Sequence, residues 1–378
     1  MRIMHISRAT LMVCQFLIPL IEEQKKKGHH VYVCGSDDSD SQKLKDMDID
    51  FFPHQLARNL SPLQIIKGIL QLKKLLIEKK IDVIICHAPI AGGVGRIAAK
   101  FAKTSTIIYF VHGYTCAPAQ HAFKWMMWFC VEKLLGNITD AALVMNDYDE
   151  KLCRKYRMLK NMNKLFRIPG IGVDLEKFTP DSNEIDRKKI EKEFCISSNT
   201  SIIVSLAYLI PEKGIFVLLE AARRIKKNRK DFCFLLAGKG PCMTKLKKLC
   251  SKYNLEKYFR ILGWRDDVHH LLRSADIFVL PSYYWEGLPV SILEAMSCGK
   301  PVIATNNRGC KDTVLNGETG FLIPLRDPGS LSDKILTLLD DHQLQKAMGK
   351  KGRQRIERYF GLNFCTEKII EALGKAIC

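Results

Sequence analysis

The chain has 378 residues, 47% of them hydrophobic, a length and composition that fit two globular domains with ordinary cores. Its net charge of +19 points to anionic partners, namely nucleic acid, an anionic membrane surface or phosphorylated substrates. The 14 cysteines show no CxxC pair and no regular spacing; a secreted domain of this length would rarely carry them unstapled, so they read as reduced core thiols in a cytosolic protein. No apolar run reaches the roughly 18 residues of a membrane-spanning helix.

The first residues imitate a signal peptide, but Gln15 and Pro19 interrupt the apolar run and Glu22 and Glu23 follow it. A strand over Arg2 to Ile6 and a helix explain them better. Strands are expected over 30–34, 81–86 and 106–111, and helices over 63–78, 95–102 and 123–135. Strands alternating with helices imply βαβ units and a parallel sheet. The helix candidate near Ala122 to Leu135 is dense in Trp, Met and Phe. Such stripes are more often core, yet Trp125 and Trp128 with Lys124 and Lys133 suit an interfacial helix. With the basic balance, this favours docking on an anionic membrane leaflet.

Glycine, proline and aspartate cluster in Ile168-Pro-Gly-Ile-Gly-Val-Asp174, as a loop between domains requires. Beyond it the plan repeats, with short strands at 201–205, 232–237, 259–263, 277–280, 301–305 and 320–323. The simplest architecture is α/β, two doubly wound Rossmann-like halves, with ligand in the cleft between them at the carboxyl ends of strands. The segment 354–377 reads as helix. No helix interleaves Arg and aromatic residues in a reader motif, which argues against nucleic acid.

The chemistry concentrates in Asp276 to Pro301. An apolar strand (Ile277 to Leu280) is followed by a turn ending in Glu286-Gly287-Leu288-Pro289 and then by a helical pattern to Cys298. If the helix begins near Gly287, Glu286 and Glu294, eight positions apart, share one face. The helix start over Gly287, Leu288, Pro289 and Val290 offers an anion the unpaired amides of its non-proline residues. A strand, an anion-accepting helix start and two carboxylates make a site for a phosphate-bearing sugar. Lys213-Gly214, after the strand at 201–205, adds a cation for a diphosphate. His112-Gly113 ends the strand at 106–111, and His87 ends the strand at 81–86.

Set in FVLPS-x3-EGLP-x4-EAM-x-CGKPV, the pair Glu286-x7-Glu294 resembles the family 4 retaining glycosyltransferases, which have the GT-B fold of two Rossmann-like domains facing a cleft. The resemblance spans nearly the whole chain and is strongest over 200–325. It implies an N-terminal acceptor-binding domain over 1–172, joined by a crossover helix at about 355–378, and a nucleotide-sugar-binding domain over 180–354. It also implies roles. Glu294 holds the ribose hydroxyls. Glu286 holds sugar hydroxyls and steadies an oxocarbenium-like transition state. Lys213 and the 287–290 amides receive the leaving diphosphate, and His112 approaches the donor sugar. Gly263, Trp264 and Arg265 line the nucleobase pocket, His87 shapes the cleft, and Arg58 faces the acceptor.

One departure stands out. The family pattern R-x4-K-G has Tyr208 at its Arg position in the donor-binding site, so either Lys213 with the helix start near Gly287 suffices, or Arg265 or another cation substitutes, or activity is weak. Arg308-Gly-Cys310-Lys-Asp312 is similar to a motif of bacterial enzymes that extend lipid-linked glycans in capsule, O-antigen or glycoprotein assembly; the bland alternative is a surface loop. The resemblance implies sugar transfer from a nucleotide diphosphate sugar, a UDP-sugar, to a polyprenyl-diphosphate-linked glycan. The enzyme would work at the inner face of the plasma membrane. Asp38-Ser-Asp40 lies in a polar loop and Asp46-Met-Asp48-Ile-Asp50 in another, neither read as holding a divalent ion, and no metal or other cofactor is expected. Rival readings are a nucleotide-sugar epimerase on the same fold and a degenerate transferase acting as a membrane-associated scaffold.

Overall fold

Runs such as Val83-Ile-Ile-Cys-His87 and Phe232 to Ala237 are buried along their whole length. Strands of that kind need helices over both faces, which parallel sheets with crossover helices supply. The structure, a computed structural model, describes residues 1–38, 40–54, 61–116, 121–180, 183–283 and 286–377. It divides into two units: Met1–Ile171 with Leu362–Cys378, and Gly172–Gly361.

Unit 1 runs β1 (Arg2–Ile6), α1 (Thr10–Phe16), α2 (Ile18–Lys26), β2 (His30–Gly35), α3 (Ser41–Asp46), β3 (Asp50–Pro53) and α4 (Pro62–Glu78). It continues with β4 (Val83–His87), α5 (Pro89–Ala102), β5 (Thr106–Val111), α6 (Ala122–Gly136), β6 (Ala141–Val144), α7 (Asp147–Lys155) and β7 (Leu165–Arg167). Unit 2 begins with α8 (Asn183–Phe194), β8 (Ser201–Leu206), α9 (Ile215–Ile225), β9 (Phe232–Ala237), α10 (Met243–Lys252), β10 (Phe259–Gly263), α11 (Val268–Ser274) and β11 (Ile277–Leu280). It ends with α12 (Val290–Ser297), β12 (Val302–Thr305), α13 (Arg308–Thr313), β13 (Gly320–Ile323), α14 (Pro328–Asp340) and α15 (His342–Tyr359). The last helix, α16 (Leu362–Ile377), packs on α2 in unit 1.

The sheet orders are β3-β2-β1-β4-β5-β6-β7 and β10-β9-β8-β11-β12-β13, with every pairing parallel. Both orders reverse direction beside the first strand of their unit, at β1/β4 and at β8/β11. In open parallel sheets the carboxyl ends of the strands at such a reversal are where ligands bind.

Three details differ from the sequence reading. α5 starts at Pro89, not near Gly95, because Ala91, Gly92 and Gly95 are a buried helix face against the sheet rather than a loop. The C-terminal helix is two helices, α15 and α16, broken at Phe360-Gly361, where Val173 N–H donates to the Phe360 carbonyl at 2.9 Å. Finally, Trp125 and Trp128 are not interfacial. They pack inward with Phe129, because Glu132 on the same face is drawn into a buried network. Arg96 Nη2 lies 2.9 Å from Glu132 Oε2, Arg96 Nε donates to the Gly92 carbonyl at 3.0 Å, and the Tyr109 hydroxyl donates to Glu132 Oε1 at 3.2 Å. Lys133 is likewise occupied, donating to the carbonyls of Tyr156 and Arg157. The outward face of α6 is instead Phe123, Met126, Met127 and Leu134.

Candidate active site

In unit 2 the chain leaves β8, makes a short 3-10 turn over Pro211–Lys213 and enters α9 through Gly214. Gly214 has φ +73°, and a Cβ there would sit 2.1 Å from the Pro281 carbonyl oxygen. Only glycine allows that left-handed turn to press against the end of β11. The contact is stitched by Tyr283 N–H donating to the Glu212 carbonyl at 2.9 Å. It brings together residues 73 positions apart: Lys213 Nζ lies 2.5 Å from Glu286 Oε1.

Glu286 is held from its other side as well. Its carbonyl accepts from Gly309 N–H at 3.3 Å, and a Cβ on Gly309 would lie 2.1 Å from the Gly287 carbonyl oxygen. The Glu286–Pro289 loop therefore rests on the start of α13. Arg308, Gly309 and Cys310 are buried there, so that motif is a packed helix start and not a surface loop.

The helix following Glu286 begins at Val290, later than Gly287. Pro289 is its N-cap and takes a hydrogen bond from Ile292 N–H at 3.0 Å. A residue preceding proline is pushed out of helical geometry, which keeps Leu288 in the loop. Glu286 thus sits on a loop four positions before the helix and Glu294 within it, so the two do not share a helical face. The 287–289 backbone is loop backbone, and the helix offers its first-turn amides from Val290 onward.

Glu294 retains a little exposed surface, but protein surrounds its carboxyl. Burial pushes it up to about 7, with Lys177 pulling the other way. Lys177 belongs to the domain junction. Asp174 Oδ1 accepts from the Glu176 and Lys177 amides at 3.0 and 2.9 Å, and Arg353 clips that turn to α12 through the carbonyls of Phe178 and Ser297, both at 2.8 Å. Lys177 was not picked out by sequence reasoning; its signal was a cation in the turn after Gly172-Val-Asp174.

The residues of the expected base pocket lie along the end of β10. Gly263 accepts through its carbonyl from Gly238 N–H at 2.7 Å, and Trp264 is 45% exposed with Lys239 Nζ 4.7 Å from its ring centroid. Arg265, the other cation considered for the missing family arginine, is already paired. Its guanidinium is bound by Asp267 at 2.7 and 2.8 Å and by both oxygens of Glu193, and these bonds hold it charged and in place. Tyr208 is 53% exposed, so its hydroxyl is no buried substitute either.

Unit 1 gathers histidines at its own reversal point. His5 lies on β1, His87 ends β4, and His112 follows β5. His87 Nδ1 is 2.9 Å from His112 Nε2, His87 Nε2 is 3.0 Å from His5 Nδ1, and His5 Nε2 is 2.8 Å from Gln24 Oε1 on α2. Burial lowers His5 and His112 to about 4 and lowers His87 well below its ordinary value, so all three are neutral at pH 7. His112 is partly exposed, and the others are fully covered. His5 and Gln24 were missed; the signal was a histidine inside the apolar strand Arg2-Ile-Met-His-Ile. Arg58 lies outside the described residues.

Two family models match the chain: "Glycosyl transferases group 1" over residues 186–355 and "Glycosyl transferase 4-like" over residues 7–141. An Escherichia coli UDP-Gal:alpha-D-GlcNAc-diphosphoundecaprenol alpha-1,3-galactosyltransferase is 34% identical over 322 residues, covering 84% of this chain and 82% of its own. A Campylobacter jejuni N,N'-diacetylbacillosaminyl-diphospho-undecaprenol alpha-1,3-N-acetylgalactosaminyltransferase is 29% identical over 95% of both chains. In fold, the Anabaena HepE protein, crystallised with UDP and glucose, superposes with a TM-score of 0.84 at 19% identity over 99% of this chain and 100% of its own. The chain belongs to the group 1, family 4-like glycosyltransferases, with two Rossmann-like domains of the GT-B class.

Proposed function

We propose that this glycosyltransferase moves a sugar from a UDP-sugar, with retention of anomeric configuration, to a growing polyprenyl-diphosphate-linked glycan. The observation that carries the reading is the Lys213–Glu286 pair at the β8/β11 reversal, with a partly buried Glu294 on the following helix. The two relatives named above, which act on diphosphoundecaprenol-linked sugars, supply the substrate class.

Donor binding draws Lys213 from Glu286 to the diphosphate, where charge grows as the glycosidic bond breaks. Glu286 is released to the sugar hydroxyls, and its carboxylate faces the oxocarbenium-like charge. Glu294 accepts hydrogen bonds from the ribose hydroxyls. His112 is assigned a sugar hydroxyl and unit 1 the acceptor; His87, fully covered, acts on the site only through its bond to His112. No covalent nucleophile is assigned; the donor's phosphate oxygen takes the acceptor proton. Lys213 and the amides near Val290 would carry the charge that a divalent cation otherwise takes, so transfer should persist in EDTA.

The enzyme works on the inner leaflet of the plasma membrane, through a face of unit 1. Among the described residues no helix is long and apolar enough to cross a membrane. α4 buries Gly68, Leu72 and Leu76 but carries a second apolar stripe on its opposite side, Leu63, Ile66, Leu70 and Ile77, all more than half exposed. Lys67 and Lys74 flank it. The outward side of α6 is apolar too. Apolar stripes edged by lysine suit an anionic interface.

The test is a panel of UDP- and GDP-sugars with a polyprenyl-diphosphate-linked acceptor. One UDP-sugar should be consumed, only with acceptor present, with the new linkage retaining the donor's configuration by NMR. Turnover of donor alone would favour the epimerase. No thermal stabilisation by saturating UDP would favour the scaffold, the reading that Tyr208 supports.

A further inference from the structure

We infer that Gln24 is a positioning residue for His112, acting through His5 and His87 as a wire of three hydrogen-bonded rings that fixes which nitrogen of His112 carries the proton. The inference rests on the proposed function only in giving His112 a sugar hydroxyl to meet.

A neutral imidazole has one N–H and one lone pair. Three such rings linked in series have two self-consistent settings. In the first, every Nε2 is protonated: His5 donates to Gln24, His87 to His5 and His112 to His87. His112 Nδ1 then ends the wire as a lone pair. In the second, every Nδ1 is protonated, which requires Gln24 to present its amide nitrogen to His5, and His112 ends the wire as an N–H. Mixed settings place two donors or two lone pairs face to face across contacts of 2.9 to 3.0 Å and leave buried groups unpaired.

The end of the wire at α2 therefore decides the end at β5. Gln24 turns its carbonyl oxygen to His5 at 2.8 Å, which selects the first setting. Its amide nitrogen is buried and has no hydrogen-bond partner among the described residues, so the bond to His5 is the one that fixes this side chain's end of the wire. The rings are held in line by stacking: His5 and His87 lie 5.3 Å apart at 14°, and Phe110 stacks on His112 at 4.8 Å and 15°. Covered on every side but the last ring, the wire is insulated from water, which would otherwise satisfy either setting.

The chemical consequence is selectivity at His112. A lone pair at Nδ1 accepts from a hydroxyl and repels a phosphate oxygen. The reversed wire would offer an N–H, which a phosphate oxygen accepts as readily as a hydroxyl does. Gln24 thus biases His112 toward the sugar and away from the diphosphate.

The experiment is NMR of the full-length protein labelled with 15N-histidine, with the His112 signals identified by their loss in His112→Gln. Wild type should show a protonated Nε2 and a bare Nδ1 at His112. Gln24→Met and His5→Phe, which cut the wire while filling similar space, should each mix the two tautomers at His112. The double variant should do no more than either alone. Gln24→Met should also lower kcat about tenfold, one hydrogen bond's worth, with the acceptor KM unchanged. A wild-type His112 protonated at Nδ1, or a His112 tautomer indifferent to both substitutions, overturns the inference. If Gln24→Met does not fold, wild type and His5→Phe decide. Tautomer coupling in a protein that turns over no UDP-sugar would sink the proposed function and leave this inference standing.

Discussion

Arg96–Glu132 in unit 1 and Lys213–Glu286 in unit 2 are both ion pairs withdrawn from water, at 2.9 and 2.5 Å. Their surroundings differ. The Arg96 and Glu132 side chains are each 1% exposed, and their remaining valences go to the Gly92 carbonyl and the Tyr109 hydroxyl. Burial, the largest influence, would lower the Arg96 pKa, but the charge and hydrogen bond of Glu132 together with Tyr109 and Cys86 raise it on balance, and the guanidinium also lies 3.9 Å from the Tyr109 ring centroid. Lys213 and Glu286 keep 20% and 10% of their side-chain surface and sit on turns at strand ends. A buried ion pair by itself therefore marks no active site. What separates the two is whether a ligand can reach the charges and offer each a replacement partner. The first pair holds helices; in the proposed function the second is exchanged for the donor.

The largest effect should come from the pair that does not touch substrate. Glu132→Ala leaves a buried guanidinium uncompensated and should cost about 3–5 kcal/mol of unfolding free energy, read from urea midpoints. The comparison breaks if the variant is as stable as wild type. Lys213→Ala should do the reverse. It should melt near wild type but lose roughly 100- to 1000-fold in kcat/KM, the scale of removing one preorganised partner of a developing anion. A Lys213→Ala protein that unfolds like Glu132→Ala while turning over normally would invert the roles assigned here.

Glu294 sharpens the contrast through pH. Its folded value near 7 lies above its ordinary 4.5, so between those values the folded state holds a proton that the unfolded chain does not. This group's contribution to stability is therefore full below about 4.5 and is lost as pH rises toward 7. Ribose hydroxyls prefer the ionised form, so UDP should bind more weakly as pH falls below 7, by up to about tenfold per unit, and should release a proton on binding near pH 6. Calorimetry in buffers of different ionisation enthalpy reads the proton directly. Glu294→Gln should abolish the release; an unchanged release would assign the proton elsewhere.

The sequence showed the central strands of both sheets because they are apolar runs bounded by turn residues. It hid β3, β6 and β7 because Asp50-Phe-Phe-Pro53 is short and half exposed, Ala141-Ala-Leu-Val144 has a single β-branched residue, and Leu165–Arg167 is only three residues long. Lys213, Glu286 and Glu294 were legible as motifs, each on a strand end or a helix. Their contact was not, since it depends on Gly214 meeting Pro281. His5 and Gln24 stayed hidden for the same reason: their bonds cross 82 and 19 positions. The facing of α6 was misread because the helix is apolar all round and gives no phase. The phase comes from one acid, Glu132, and an arginine 36 positions upstream.

That phase leads to the smallest effect, on the side of unit 1 away from its ion pair. If Glu132 turns Trp125 and Trp128 inward, the outward residues of α6 and of its neighbour layer contribute little to folding. Leu70→Ser on α4 and Met126→Ser on α6 should each change stability by no more than about 0.5 kcal/mol, as surface substitutions do. Trp128→Ser should cost several times that, because it opens the core. Both surface variants should pellet less with phosphatidylglycerol vesicles, and neither should change its already weak pelleting with phosphatidylcholine, since lysines beside an apolar stripe draw on lipid charge as well as on apolar area. If Met126→Ser destabilised as much as Trp128→Ser, the outward face would belong to the core, and the docking surface assigned to it would be lost with the phase that Glu132 is held to set.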